Sequence, residues 1–263
     1  MSGAVEVVGQ PTLRRNDHWV RSWPLGRTTL VPLAANVALL LAVTSSIGLL
    51  FMWYLDQGPV GDADRAVAEW LEDHRTARLN TFTHYGSMLS ETLVKVALVV
   101  VTGGAAILMW RRWHDGVFIA LAVIVESTVF VLASFIVGRD RPPVEQLDPP
   151  APSGSFPSGH TAAAVAFYGA VFIVACWHTR SRLVRVGFLI VAVAAPLIVG
   201  FSRTARGMHH PIDVIAGLLL GLAALAVTRH TLAKGVAEID RTAGPSTPAR
   251  LRHLDLTEPG ASQ

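Results

Sequence analysis

The chain is 263 residues long, 51% hydrophobic and only 16% charged, with a mean hydropathy of +0.44. Soluble domains carry about 25% charged residues, so this composition excludes an ordinary soluble domain and points to a membrane protein. An isoelectric point near 9.5 does not make it a nucleic-acid binder, because its arginines flank apolar runs rather than forming one basic face.

Residues 1–28 form a polar, basic tail with Arg14, Arg15, Arg21 and Arg27. The apolar stretch that follows, 30–55, is too long for a signal-peptide core of roughly 7–15 residues and predicts a first membrane span. Residues 56–88 are polar, with Val67, Trp70 and Leu71 on one side and Asp64, Glu69, Glu72 and Asp73 elsewhere. That pattern predicts one short amphipathic helix, either at the membrane surface or as an ordinary solvated loop helix. Further spans are expected over 89–110, 117–137, 161–177, 186–201 and 211–227. The single cysteine, Cys176, lies inside one of these runs, so no intrachain disulfide is possible. Residues 229–263 are polar and contain Pro and Gly, which predicts a disordered tail. The expectation is thus an all-α bundle: a tail over 1–28, a six-span domain over 29–228 and a second tail.

Six spans put both termini on one side. Of the 22 lysines and arginines, 14 then fall on that side, seven opposite, and Lys95 lies within the second span. The positive-inside rule makes the termini cytoplasmic. Four of the seven outward cations, Arg139, Arg141, Arg203 and Arg206, crowd into two loops. Cations gathered against the topology rule need a reason, and a bound anion supplies one.

Three clusters share this outer face: Arg139-x-Arg141-Pro142, then Pro157-Ser158-Gly159-His160, then Ser202-Arg203-x5-His209-x3-Asp213. In the second, a polar loop turns into an apolar helix, and Ser158 is a good N-cap residue. The first amides of such a helix attract anions, phosphate above all. In the third, Pro211 suits the first helical turn, placing His209 just before it and Asp213 one turn in. At that spacing a carboxylate can take the Nδ1 proton of the imidazole and leave Nε2 free as a nucleophile. Arg141 and Arg203 can clamp phosphoryl oxygens, while Ser158 and the amides of Gly159 and His160 complete a cradle.

Together these residues resemble the type 2 phosphatidic acid phosphatase superfamily. It also contains bacterial undecaprenyl-diphosphate phosphatases, glucose-6-phosphatase and vanadium haloperoxidases. The family pattern is Lys-x6-Arg-Pro, Pro-Ser-Gly-His and Ser-Arg-x5-His-x3-Asp. The second and third motifs match fully, whereas the first matches only at Arg141-Pro142, because Ser134 occupies the lysine position. The resemblance implies that His209 is the nucleophile, His160 the general acid and Asp213 the group orienting His209. It further implies that Arg141, Ser158, Gly159 and Arg203 bind phosphate.

The expected activity is hydrolysis of a membrane lipid phosphate or diphosphate through a phosphohistidine, at the outer face of the cell membrane. Undecaprenyl diphosphate is the favoured substrate, with phosphatidic acid and phosphatidylglycerol phosphate as alternatives. An inactive lipid-phosphate binder is the reading from another class. The six spans argue against a haloperoxidase, since those enzymes are soluble. No carboxylate cluster offers to hold magnesium, so neither metal nor other cofactor is expected.

Several polar residues lie outside the motifs. Glu91 and Lys95, one turn apart, are expected to pair with each other. Arg139 is the expected stand-in for the missing lysine, with Lys95 the other candidate. Glu126, mid-span, serves either an interhelical hydrogen bond or a function. Arg206 contacts substrate or a lipid headgroup, and His210 has a structural or rim role.

Overall fold

Residues 25–149 and 152–242 are described by a computed structural model, and within them all regular structure is helical. Eight helices follow in order: α1 (Arg27–Tyr54), α2 (Pro59–Asp73), α3 (Ala77–Met88), α4 (Thr92–Trp110), α5 (Trp113–Val137), α6 (Gly159–His178), α7 (Arg182–Ala205) and α8 (Pro211–Thr242). Six of them, α1, α4, α5, α6, α7 and α8 over Pro211–Lys234, are long and apolar enough to cross a membrane. These are the six spans that the apolar runs predict.

The core lies where α5, α6 and α8 meet. On α5, Phe118, Ala122, Val129 and Ala133 are fully enclosed. On α6, Ala162, Ala163, Ala166 and Ala170 let the neighbouring helices come close. Gly217 and Gly221, one turn apart on α8, complete this fit. A Cβ at Gly217 would lie 2.5 Å from the Ser158 carbonyl oxygen, and one at Gly221 2.5 Å from Val165 Cβ and 2.6 Å from the Ala162 oxygen. Backbone contact at that range fixes how α6 and α8 are set against each other, and so where their outer ends meet.

Two expectations need correction. The segment 56–88 holds two helices rather than one, broken at His74–Thr76, where the Thr76 hydroxyl caps α3 by accepting from the Leu79 amide at 3.2 Å. They pack against α7 and α8, α3 chiefly on α7 and α2 on both. Asp64, expected on the polar side, is 4% exposed because it faces Arg139. The C-terminal tail also begins later than expected, since α8 runs on to Thr242. Its extra turns are anchored by Leu232 in the core and by a 3.3 Å bond from Asn36 Nδ2 to Thr231 Oγ1. The tails over 1–24 and 243–263 lie outside the described residues.

The glycine contacts make a paired prediction. Alanine in place of a helical glycine normally gains up to about 1 kcal/mol. Gly104 on α4 has nothing within 4 Å of where a Cβ would sit, so Gly104→Ala should leave Tm unchanged or raised. Gly221→Ala should instead lower Tm in detergent by several degrees, in line with about 1–3 kcal/mol for overpacking. Equal effects at the two positions would contradict the close α6–α8 packing.

Candidate active site

The site forms where three chain connections converge. The α5 helix ends at Gly138, whose left-handed φ of 61° turns the chain into the 139–158 loop. That loop is held by its backbone: Gly154 donates to the Ser134 oxygen at 3.3 Å, Ser155 to the Arg139 oxygen at 2.7 Å, and Ser158 to the Asp213 oxygen at 2.9 Å. All three motifs are thereby brought together.

Between them lies a cavity of about 190 Å³, lined by Lys95, Arg141, Gly159, His160, Arg203 and His209, with the Phe130 ring beside them. A Cβ at Gly159 would sit 2.5 Å from that ring, so glycine is required here for packing as well as for access. Gly159 and His160 open α6, whose first amides have no partner within the helix. The larger cavity of about 410 Å³, near Arg112, Asp115 and Trp177, contains no motif residue.

His209 is oriented by a group the sequence did not reveal. Its Nδ1 lies 2.7 Å from the backbone oxygen of Ser155, so Nδ1 carries the proton and Nε2 keeps its lone pair. Asp213, expected in this role, is 3.9 Å from Nδ1. Its carboxylate instead accepts the His210 amide at 2.9 Å and Arg139 Nη1 at 2.7 Å. Burial, reinforced by the nearby Arg203 and Arg141, pushes His209 down to about 3 against the opposing pull of Asp213 and the Ser155 bond. His209 is therefore a neutral imidazole at physiological pH. His210 is 4% exposed, 3.4 Å from Asp213, and does not line the cavity.

The arginines divide into two sets. Arg141 and Arg203 face the cavity: Arg141 is anchored to the Met208 oxygen at 2.6 Å, and Arg203 to Ser87 Oγ and Asp148 at 2.9 Å each. Arg139 and Arg206 face away from it. Arg139, 2% exposed, binds Asp213 at 2.7 Å and both Asp56 and Asp64 at 2.8 Å, with Phe51 stacked 4.7 Å from its guanidinium. Burial works against its charge, yet those carboxylates outweigh it and raise its pKa further. It is thus not the stand-in for the missing lysine, because both its terminal nitrogens bind carboxylates and it does not line the cavity. Arg206 holds the 139–158 loop by a two-pronged bond to Asp148 at 2.8 and 2.6 Å.

Other expectations shift in the same way. The Ser158 hydroxyl sits 2.9 Å from Thr161 Oγ1 and neither caps α6 nor lines the cavity. Ser134 is enclosed, its hydroxyl bonded to the Val131 oxygen at 2.9 Å. Glu91 caps α4 by accepting from the Leu93 and Val94 amides at 2.8 and 3.3 Å, and no ion pair joins it to Lys95 among the described residues.

Residues 115–236 match the model of the PAP2 superfamily. The resemblance carried by the motifs is confirmed over this stretch, which holds the second and third motifs and the Arg141-Pro142 end of the first. A protein named undecaprenyl-diphosphatase from Sulfolobus acidocaldarius is 29% identical over 44% of this chain and 55% of its own length. Undecaprenyl-diphosphatase BcrC of Bacillus subtilis is 26% identical over 55% of this chain and 75% of its own. This chain therefore spans only about half the length of the archaeal relative. In fold it is similar to the crystal structure of a transmembrane PAP2 type phosphatidylglycerolphosphate phosphatase from Bacillus subtilis. That likeness has a TM-score of 0.62 and 22% identity, covering 79% of this chain and 97% of the other.

Two measurements check this geometry. In histidine-labelled, phosphate-free protein, the His209 ring signals, assigned by their loss in His209→Asn, should stay those of a neutral imidazole from pH 8 to 5. A midpoint near 6.5 would contradict the burial. Because the folded value is depressed, the unfolded chain takes the proton first, so stability falls as pH drops below about 6.5. Separately, Arg139→Ala leaves Asp213 and Asp64 enclosed without their counter-charge and should lower stability by about 3–5 kcal/mol. Unchanged thermal unfolding of that variant would show that the cluster does not hold the site.

Proposed function

We propose that this chain is an integral-membrane phosphatase that hydrolyses a lipid diphosphate, with undecaprenyl diphosphate as substrate. One observation carries the reading: a neutral histidine, its Nε2 lone pair free, opens onto a cavity lined by two arginines, a lysine and a second histidine. The names of the archaeal and Bacillus relatives support the isoprenoid diphosphate over other lipid phosphates. The fold neighbour is a phosphatidylglycerolphosphate phosphatase by name, which keeps that lipid as the second reading.

In the proposed reaction His209 Nε2 attacks the terminal phosphorus in line. The bond from phosphorus to the bridging oxygen breaks, and His160 gives that oxygen a proton, so lipid monophosphate departs. A phosphohistidine remains. His160 then takes a proton from water, the hydroxide attacks phosphorus, and the P–N bond breaks to release inorganic phosphate. Arg141, Arg203 and the α6 amides stabilise the equatorial oxygens.

This chemistry is proposed to run without a metal. The cavity-facing cations supply positive charge, and Asp213, Asp148 and Asp64 are each held by a guanidinium. The distribution of arginines favours a site outside the cell and termini in the cytoplasm.

Phosphate release from a panel of purified lipid phosphates, with chelator present, tests activity, substrate and metal dependence together. Undecaprenyl diphosphate should be turned over fastest. His209→Asn should fall to background, while His210→Asn should keep most of the rate. Rapid quench should trap acid-labile phosphate on the wild type and none on His209→Asn. Equal activity of the two histidine variants would remove His209 from the role. For orientation, cysteines introduced in the 139–158 loop should react with a membrane-impermeant reagent on intact cells; protection there would invert the topology.

A further inference from the structure

Lys95 belongs to none of the three motifs, yet it lines the phosphate-sized cavity beside Arg141, Arg203 and the two histidines. It comes from α4, which supplies no other charged group to that cavity. Its ammonium lies 3.5 Å from Ser127 Oγ on the adjoining α5, and that hydroxyl donates to Glu126 Oε2 at 3.0 Å. Glu126 is fully enclosed, and its other oxygen, Oε1, has no hydrogen-bond partner among the described residues.

A carboxyl in mid-span is costly and calls for a partner. Among the described residues, the interhelical hydrogen bond that would explain Glu126 as plain structure is missing, since its one bond goes to its own neighbour along α5. What it does have is a cation one hydroxyl away. Lys95 in turn is free to reach inward, because Glu91 is committed to capping α4. The residue at the family's lysine position, Ser134, is enclosed, bonded within α5 and not part of the cavity lining.

We infer that Lys95 is a further phosphate-contacting residue of this site, presented from α4 in place of the lysine absent at Ser134, and that Glu126, acting through Ser127, positions it. Before phosphate binds, the half-buried ammonium leans on Ser127, one hydroxyl away from the enclosed Glu126 carboxyl. When phosphate enters, Lys95 turns from Ser127 to a phosphoryl oxygen. Glu126 does not touch the substrate; it keeps the cation stored within reach. The inference deepens the phosphatase reading and rests on it for the identity of the anion.

Calorimetric binding of inorganic phosphate to the full chain in detergent separates the two. Lys95→Met keeps the aliphatic stem and should weaken phosphate about tenfold to a hundredfold, the worth of one hydrogen bond to a charged group. Lys95→Arg should retain most of the affinity. Glu126→Gln and Ser127→Ala should weaken phosphate in the wild-type background and add nothing in the Lys95→Met background. Unaltered phosphate binding in Lys95→Met overturns the inference, and full additivity in the double variants overturns the positioning role. Loss of phosphate binding in Lys95→Met, together with no turnover of any lipid by the wild type, leaves Lys95 in place and removes the proposed activity. A wild type that binds no inorganic phosphate overturns both.

Discussion

The arrangement of this protein depends on one guanidinium. Arg139 follows directly on the glycine that ends α5, and its donors reach Asp56 after α1, Asp64 on α2 and Asp213 on α8. Three stretches far apart in sequence, 56–64, Arg139 and Asp213, are thereby tied at one point. Asp64 extends the tie, because its second oxygen accepts the Ile212 amide at 2.9 Å and so satisfies the start of α8 from another helix. A cluster with one cation and three carboxylates is stable only if all members stay, and this makes the outer end of the bundle rigid rather than loop-like.

That cluster also explains the electrostatics of the cavity. The carboxylates that would repel a phosphate are turned away, with Asp213 and Asp64 on Arg139 and Asp148 on Arg203 and Arg206. The cations left facing the cavity are Arg141, Arg203 and Lys95. Asp148 is held below the ordinary carboxylate range: burial opposes this, and the adjacent Arg206 and Arg203 prevail. A histidine enclosed among such cations stays neutral, and a neutral imidazole is the form that can act as a nucleophile.

Much of this was legible in the sequence, and the reasons differ by residue. The six spans follow from the length of apolar runs, which no tertiary contact can disguise. His160, Arg141, Arg203 and His209 were readable because their spacing is tied to helix starts at Gly159 and Pro211. Arg139 was misread since proximity in sequence to Arg141 says nothing of direction, and the two guanidiniums diverge, one to the carboxylates and one to the cavity. Asp64 was hidden for a related reason, as a charged residue on an amphipathic helix looks solvated until a buried partner is known. Lys95 sits on another helix with no fixed spacing to the motifs, so only the packing of α4 against α5 could place it. The Ser155 carbonyl left no trace at all, because every residue has one.

That last contact has a genetic consequence. A nucleophile steered by a side chain can be disarmed by any codon change at the steering position. One steered by a peptide oxygen cannot, because substitution at Ser155 alters the side chain and leaves the acceptor in place. The peptide oxygen also takes up no proton over the pH range in which cells live, so acidity does not detach it. Selection at this point therefore acts on the path of the backbone between Arg139 and Ser158, to which the enclosed Ser155 side chain contributes by donating to the Asp140 oxygen at 2.8 Å. Among variants of this chain, a substitution at residue 155 is expected to reach His209 only through that loop, by loss of the Ser155 hydroxyl bond to the Asp140 oxygen.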